Sequence, residues 1–155
     1  DKDIMNKKPR NSRKSIFADG LWGKIIVEGV MLGMLTLVTF SIGNNLYGLE
    51  VGRTMAFVAI AMLELIHSFN VKSDESIFKV GLFENKYLIG AFVLGALLQI
   101  VVVMVPVFAN VFGLVPLTGT QWIYTLGISI LPLIIMEAQK KLNSVRVGKK
   151  VFSYN

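Results

Sequence analysis

The chain has 155 residues, of which 54% are hydrophobic, with a mean hydropathy of +0.62 and no cysteine. The lack of thiols excludes disulfides, thiolate metal centres and thiol nucleophiles together. Sixteen Lys and Arg against ten Asp and Glu leave a net charge of +6. The basic residues fall in blocks between apolar runs, without the aromatic platforms that a nucleic-acid groove would place among them, so no nucleic-acid partner is expected.

Residues 1–20 are polar and basic, with Pro9 and few apolar side chains, and are expected to form an irregular cytoplasmic loop leading to an interfacial anchor at Trp22. No signal peptide is visible, and a start at Asp1-Lys2-Asp3 suggests a piece of a longer protein. Four apolar runs then approach the length of a membrane span, at residues 25–42, 54–71, 87–108 and 122–136. The last reaches a full crossing, to residue 139, if Glu137 and Gln139 sit in the interface. The predicted fold is therefore an all-α membrane protein: a loop over 1–20, then a domain of four transmembrane helices over 21–155.

In the first span Lys24 and Glu28 are four residues apart and can pair on one face near the head groups. Gly29 and Gly33 form a GxxxG step that admits close approach of another helix backbone. Residues 44–51, rich in Asn and Gly, read as a short outer turn. In the third span Gln99 is the one strongly polar interior residue and is expected to hydrogen-bond across helices. Pro106 should kink or end that helix, and Pro132 should kink the fourth.

Basic residues set the orientation. Seven of them precede the first span, three (Lys72, Lys79, Lys86) lie between the second and third, and five follow the fourth. The other two connections hold only Arg53. By the positive-inside rule both termini and the loop around residues 71–86 are expected in the cytoplasm, in a multi-pass protein of the cell membrane surrounded by lipid.

Glu64 stands out in the second span. Arg53 and Lys72 lie about 12–17 Å away along the axis, at opposite ends. A carboxylate near the bilayer midplane is costly unless it is paired, protonated or bound to a cation, so it marks a functional site. The helical wheel puts Glu64, His67 and Ser68 within about 100° of one another. Calcium takes about six to eight oxygens, and Glu64 can supply part of such a shell, with His67 and Ser68 as hydrogen-bonding groups behind it. The other spans add only Gln99 and scattered hydroxyls, so the remaining ligands are expected elsewhere. The alternative for Glu64 is a protonated structural acid hydrogen-bonded across helices.

At these residues the chain resembles the C-terminal part of a P-type calcium-transporting ATPase of the sarco/endoplasmic-reticulum-like class, in a bacterial form. The stretch Asp3-Ile4-Met5-Asn6-Lys7-Lys8-Pro9-Arg10 is similar to the segment that follows the sixth membrane helix of these pumps. Glu64-Leu65-Ile66-His67-Ser68-Phe69-Asn70, with Ser73-Asp74-Glu75-Ser76-Ile77-Phe78, resembles their eighth helix and the loop after it. Leu117 to Trp122 and Ser129 to Pro132 are similar to the last outer loop and the tenth helix.

The resemblance implies that the four spans are helices seven to ten of a ten-helix pump, and that Glu64 is the eighth-helix acid of a calcium transport site. It implies calcium export with proton counter-transport. ATP and magnesium would be bound by the parent protein outside this chain, which alone would be inactive. It implies helices four to six and the phosphorylation domain as partners, with Gly29 and Gly33 packed on the fifth helix. His67 departs from the amide that animal pumps carry nearby. The competing readings are a self-standing four-helix transporter or assembly subunit, and a purely structural support domain.

Overall fold

The computed structural model describes residues 21–71 and 85–152, with side chains as far as residue 142. Expectations for residues 1–20, for the 72–84 loop with its 73–78 motif, and for the basic side chains after residue 142 lie outside the described residues. Within them the chain is all helical: α1 (Leu21–Tyr47), α2 (Leu49–Val71), α3 (Lys86–Met104), α4 (Pro106–Phe112), α5 (Gly119–Ser129) and α6 (Leu131–Phe152).

The first two helices run past the predicted spans, and the outer turn shrinks to one residue. Gly48 has φ +96, a left-handed conformation that needs no Cβ to clear, and its N–H donates to Asn44 O at 3.1 Å. The chain reverses there and α2 returns antiparallel along α1. Gly43 faces Gly52, where an added Cβ would lie 2.7 Å from the Gly52 Cα. Leu32 packs with Ala59 and Leu63, and Glu28 faces His67 at the far end. One register thus holds for about 22 Å of helix.

Both prolines act as the sequence suggests. Pro106 opens α4, so the helix breaks at Val105, which adopts an extended backbone (φ −88, ψ 116). Pro132 is the second residue of α6, and the fourth predicted span is divided at Ile130. The bend keeps its backbone bonded: Ile130 N–H donates to Leu126 O at 3.2 Å, and Leu133 N–H to Ile130 O at 3.1 Å. The start of α5 is a capping box, in which Thr118 N–H donates to Gln121 Oε1 at 2.8 Å.

α2 is the hub of the bundle, touching α1, α3, α5 and α6. Met55, Val58 and Met62 form the main core with Val103, Ala109, Leu114 and Leu117. Buried hydroxyls are satisfied within their own helices, as with Thr125 to Gln121 O and Ser129 to Thr125 O, both 2.8 Å. Gln99 makes the expected bond between helices, its Nε2 donating to Phe57 O at 3.3 Å.

Thr54 joins the outer loop to this core: its Oγ1 donates to Glu50 O at 3.0 Å and accepts from Val115 N–H at 3.0 Å. Thr54→Val keeps the shape and strands that part-buried N–H. A loss of about 1–3 kcal/mol in unfolding free energy in detergent is expected.

Among the described residues, three stretches are long and apolar enough to cross a bilayer: Leu21–Tyr47, Lys86–Met104 and Gly119–Leu142, the last joining α5 to the start of α6. Much of their apolar surface faces outward, including Ile26, Val27, Met34, Leu37, Leu94 and Leu98. A water-soluble monomer rarely exposes contiguous apolar area on this scale. The second predicted span, in α2, is not among the three; α2 is the helix that the others pack around.

Candidate functional site

Beyond its first turn, the residues of α2 left open are Arg53, Ile60, Glu64, Ser68 and Val71, and those covered include Met55, Ala59, Leu63, Ile66, His67 and Asn70. At 100° per residue the open set forms one stripe about 80° wide. Glu64 sits within it, about 10 Å of helix rise from the Val71 end. Ser68 lies one turn further along, and its hydroxyl donates to Leu65 O at 2.6 Å. Its proton is thereby committed to the helix, while its oxygen lone pairs remain available to accept a bond or meet a cation.

His67 does not share that surface. The structure brings Glu64 and Ser68 together on the stripe and separates the imidazole from them. The 60° between Glu64 and His67 straddles the edge of the α1 contact. His67 is 9% exposed, and its Nε2 stands 3.3 Å from Glu28 Oε2, with only 15% of the Glu28 side chain exposed. Glu28 thus faces a histidine on the neighbouring helix, an approach that sequence reading missed. Its one available signal was that two polar residues, at the corresponding depth of an antiparallel pair, need each other in an apolar setting.

One turn on, Asn70 is fully buried, and both its side-chain Nδ2 and Oδ1 lack a hydrogen-bond partner, as does His67 Nδ1. The Asn70 carbonyl accepts from Lys140 Nζ of α6 at 3.2 Å, and Lys140 also pairs with Glu137 at 3.5 Å. A lysine from α6 therefore caps the C-terminal end of α2, where orphan carbonyls and the negative pole of the helix dipole collect.

Gly29 and Gly33 lie open on α1, with nothing within 4 Å of an added Cβ on either. The close backbone approach within the bundle is made instead by Gly43 and Gly52. Among the described residues no group of three or more His, Cys, Asp or Glu is placed to hold a metal ion. Glu64 therefore offers a single carboxylate, with the Ser68 oxygen beside it, to whatever covers the stripe. Gln99 turns inward to Phe57 O. An apolar groove of about 620 Å³ lies elsewhere, between α2, α3, α5 and α6, lined by Ile66, Phe69, Phe92 and Leu133 among others.

Comparison with known proteins adds a family to this geometry. The family described as "Cation transporting ATPase, C-terminus" matches residues 1–142. "Calcium-transporting ATPase 1" of Bacillus cereus is 37% identical over 90% of this chain and 18% of its own length. "Calcium-transporting ATPase" of Bacillus subtilis is 33% identical over 86% of the chain and 15% of its own length. "Calcium-transporting ATPase type 2C member 1" of Homo sapiens is 29% identical over 94% of the chain and 16% of its own length. The chain thus spans less than a fifth of each of these relatives.

Proposed function

The chain belongs to the family of cation-transporting ATPase C-terminal regions, and we propose that it is the transmembrane tail of an ATP-driven calcium pump in which Glu64 is a ligand of the transported cation. The observation that carries the reading is the placement of Glu64. It lies on the open stripe of the bundle's central helix, where a second set of helices could supply the rest of a shell. ATP and magnesium are bound by the parent protein, whose helices four to six would cover the stripe. Gly29 and Gly33, open on α1, suit close packing against one of those helices, the fifth.

Four spans with both termini cytoplasmic are part of the same proposal. α2 has 23 residues, about 34 Å, against a hydrocarbon core of about 30 Å. It follows α1 through a one-residue turn and keeps register along it, so α2 must return across the bilayer if α1 crosses it. The basic residues set the hand of that arrangement, with Arg53 the one exception. Residues 1–20 are then a cytoplasmic loop facing the phosphorylation domain, and residues 21–155 a four-helix domain in the cell membrane.

A carboxylate that binds calcium in one pump state needs neutralising by protons in the other, which gives counter-transport. In proteoliposomes holding the full-length pump, ATP with external calcium is expected to drive calcium inward while a trapped pH dye reports alkalinisation of the lumen. Calcium uptake with an unchanged lumenal pH, in vesicles shown to be proton-tight, would remove counter-transport. An ATPase activity indifferent to calcium would remove the calcium reading.

A further inference from the structure

The cluster of Glu28, His67 and Asn70 lies at the α1–α2 contact, to one side of the stripe that holds Glu64. We propose that Glu28 and His67 are positioning residues for cation transport: their contact sets the rotation of α2 about its axis, and so the direction in which Glu64 points. This inference rests on Glu64 being the cation ligand.

Apolar contacts alone set helix rotation weakly, because lipid tails and leucine side chains are equally apolar and a small roll of α2 trades one for the other. A polar pair is different. The Nε2 to Oε2 approach of 3.3 Å joins two side chains that are each at least 85% buried, and a roll would part them without water to replace the bond. His67 lies about 60° from Glu64 on the wheel and one turn towards the cytoplasmic end. Fixing the imidazole against α1 therefore fixes the carboxylate on the open side.

Asn70 extends the cluster by one turn. With Nε2 taken up by Glu28, the other ring nitrogen, Nδ1, is left to be satisfied. The Asn70 amide offers a donor and an acceptor on the same side of α2, and all three atoms are enclosed and unpartnered. Lys140, on the Asn70 carbonyl, anchors the end of the same helix to α6. Hence the rotation of α2 is held from two neighbours, while its Glu64 side is left to the cation.

The test uses the full-length pump, with calcium concentration for half-maximal ATP hydrolysis read separately from the maximal rate. Glu28→Leu and His67→Leu are each expected to raise that concentration about tenfold, with maximal rate per phosphorylatable enzyme within about twofold. The double variant replaces both partners by apolar groups, so it is expected to be no worse than either single change. Glu28→Gln and His67→Gln retain an acceptor and a donor and should shift affinity only about threefold. They carry the test if the Leu variants fail to assemble.

A purely structural pair would lower the yield of pump and leave the affinity of the surviving molecules unchanged. Wild-type calcium affinity in the Glu28 and His67 variants, alongside weakened affinity in Glu64→Gln, would overturn the positioning role alone. Unchanged affinity in Glu64→Gln would overturn the ligand reading and this inference with it.

Discussion

Glu64→Gln in the full-length pump is expected to raise the calcium concentration for half-maximal ATP hydrolysis by about tenfold or more, with little effect on folding. Glutamine keeps the size and one carbonyl oxygen but removes the charge and the second equivalent oxygen. A divalent ion shed of its water holds a carboxylate far more tightly than an amide, and tenfold corresponds to only about 1.4 kcal/mol. Within this chain Glu64 is exposed and lies outside the core. A substitution there should change the stability of the bundle by no more than about 0.5 kcal/mol. The two readings separate on this point. A structural acid would give Glu64→Ala normal calcium dependence and a lowered melting temperature; a ligand gives the reverse.

The largest effect on stability is expected at the α1–α2 crossing. Gly52→Leu should cost about 3 kcal/mol or more, measured as unfolding in detergent, because the space it needs is filled by backbone. A Cβ at residue 52 would lie 2.7 Å from Asn44 N and 3.0 Å from Asn44 Cα, atoms that cannot rotate away. Relief requires α1 and α2 to move apart, which would loosen the packing of Met55 and pull Glu28 from His67. Gly29→Leu and Gly33→Leu form the contrast. Both sites are open, so the bundle itself should be unaffected, while assembly with the rest of the pump should weaken. Equal losses at all three glycines in the isolated chain would contradict this division.

Much of the bundle was legible because its signals are local. Pro106 and Pro132 break helices wherever they fall, Gln99 has to find a partner in an apolar span, and long apolar runs mark the helices. The single-residue turn at Gly48 was less visible, since Asn44 and Asn45 read equally well as turn residues and proved helical. The candidate site divides in the same way. An acid at the depth of Glu64 announces itself, and periodicity places His67 60° from it. Where the packing edge of α1 cuts between them is a property of two helices together, and it depends on the Gly43–Gly52 crossing. Glycines paired across a hairpin have no fixed spacing, whereas the GxxxG step of Gly29 and Gly33 has one and draws attention to a face that this bundle leaves open. The Glu28–His67 contact was hidden for the same reason, because it follows from register.

The central claim is that Glu64 holds the transported ion, and equilibrium binding of radiocalcium to the full-length pump without ATP tests it most directly. Wild-type pump should bind calcium with high affinity, and Glu64→Gln at equal enzyme content should lose that binding or show it weakened by about tenfold or more. Superimposable binding curves for the two proteins would contradict the claim.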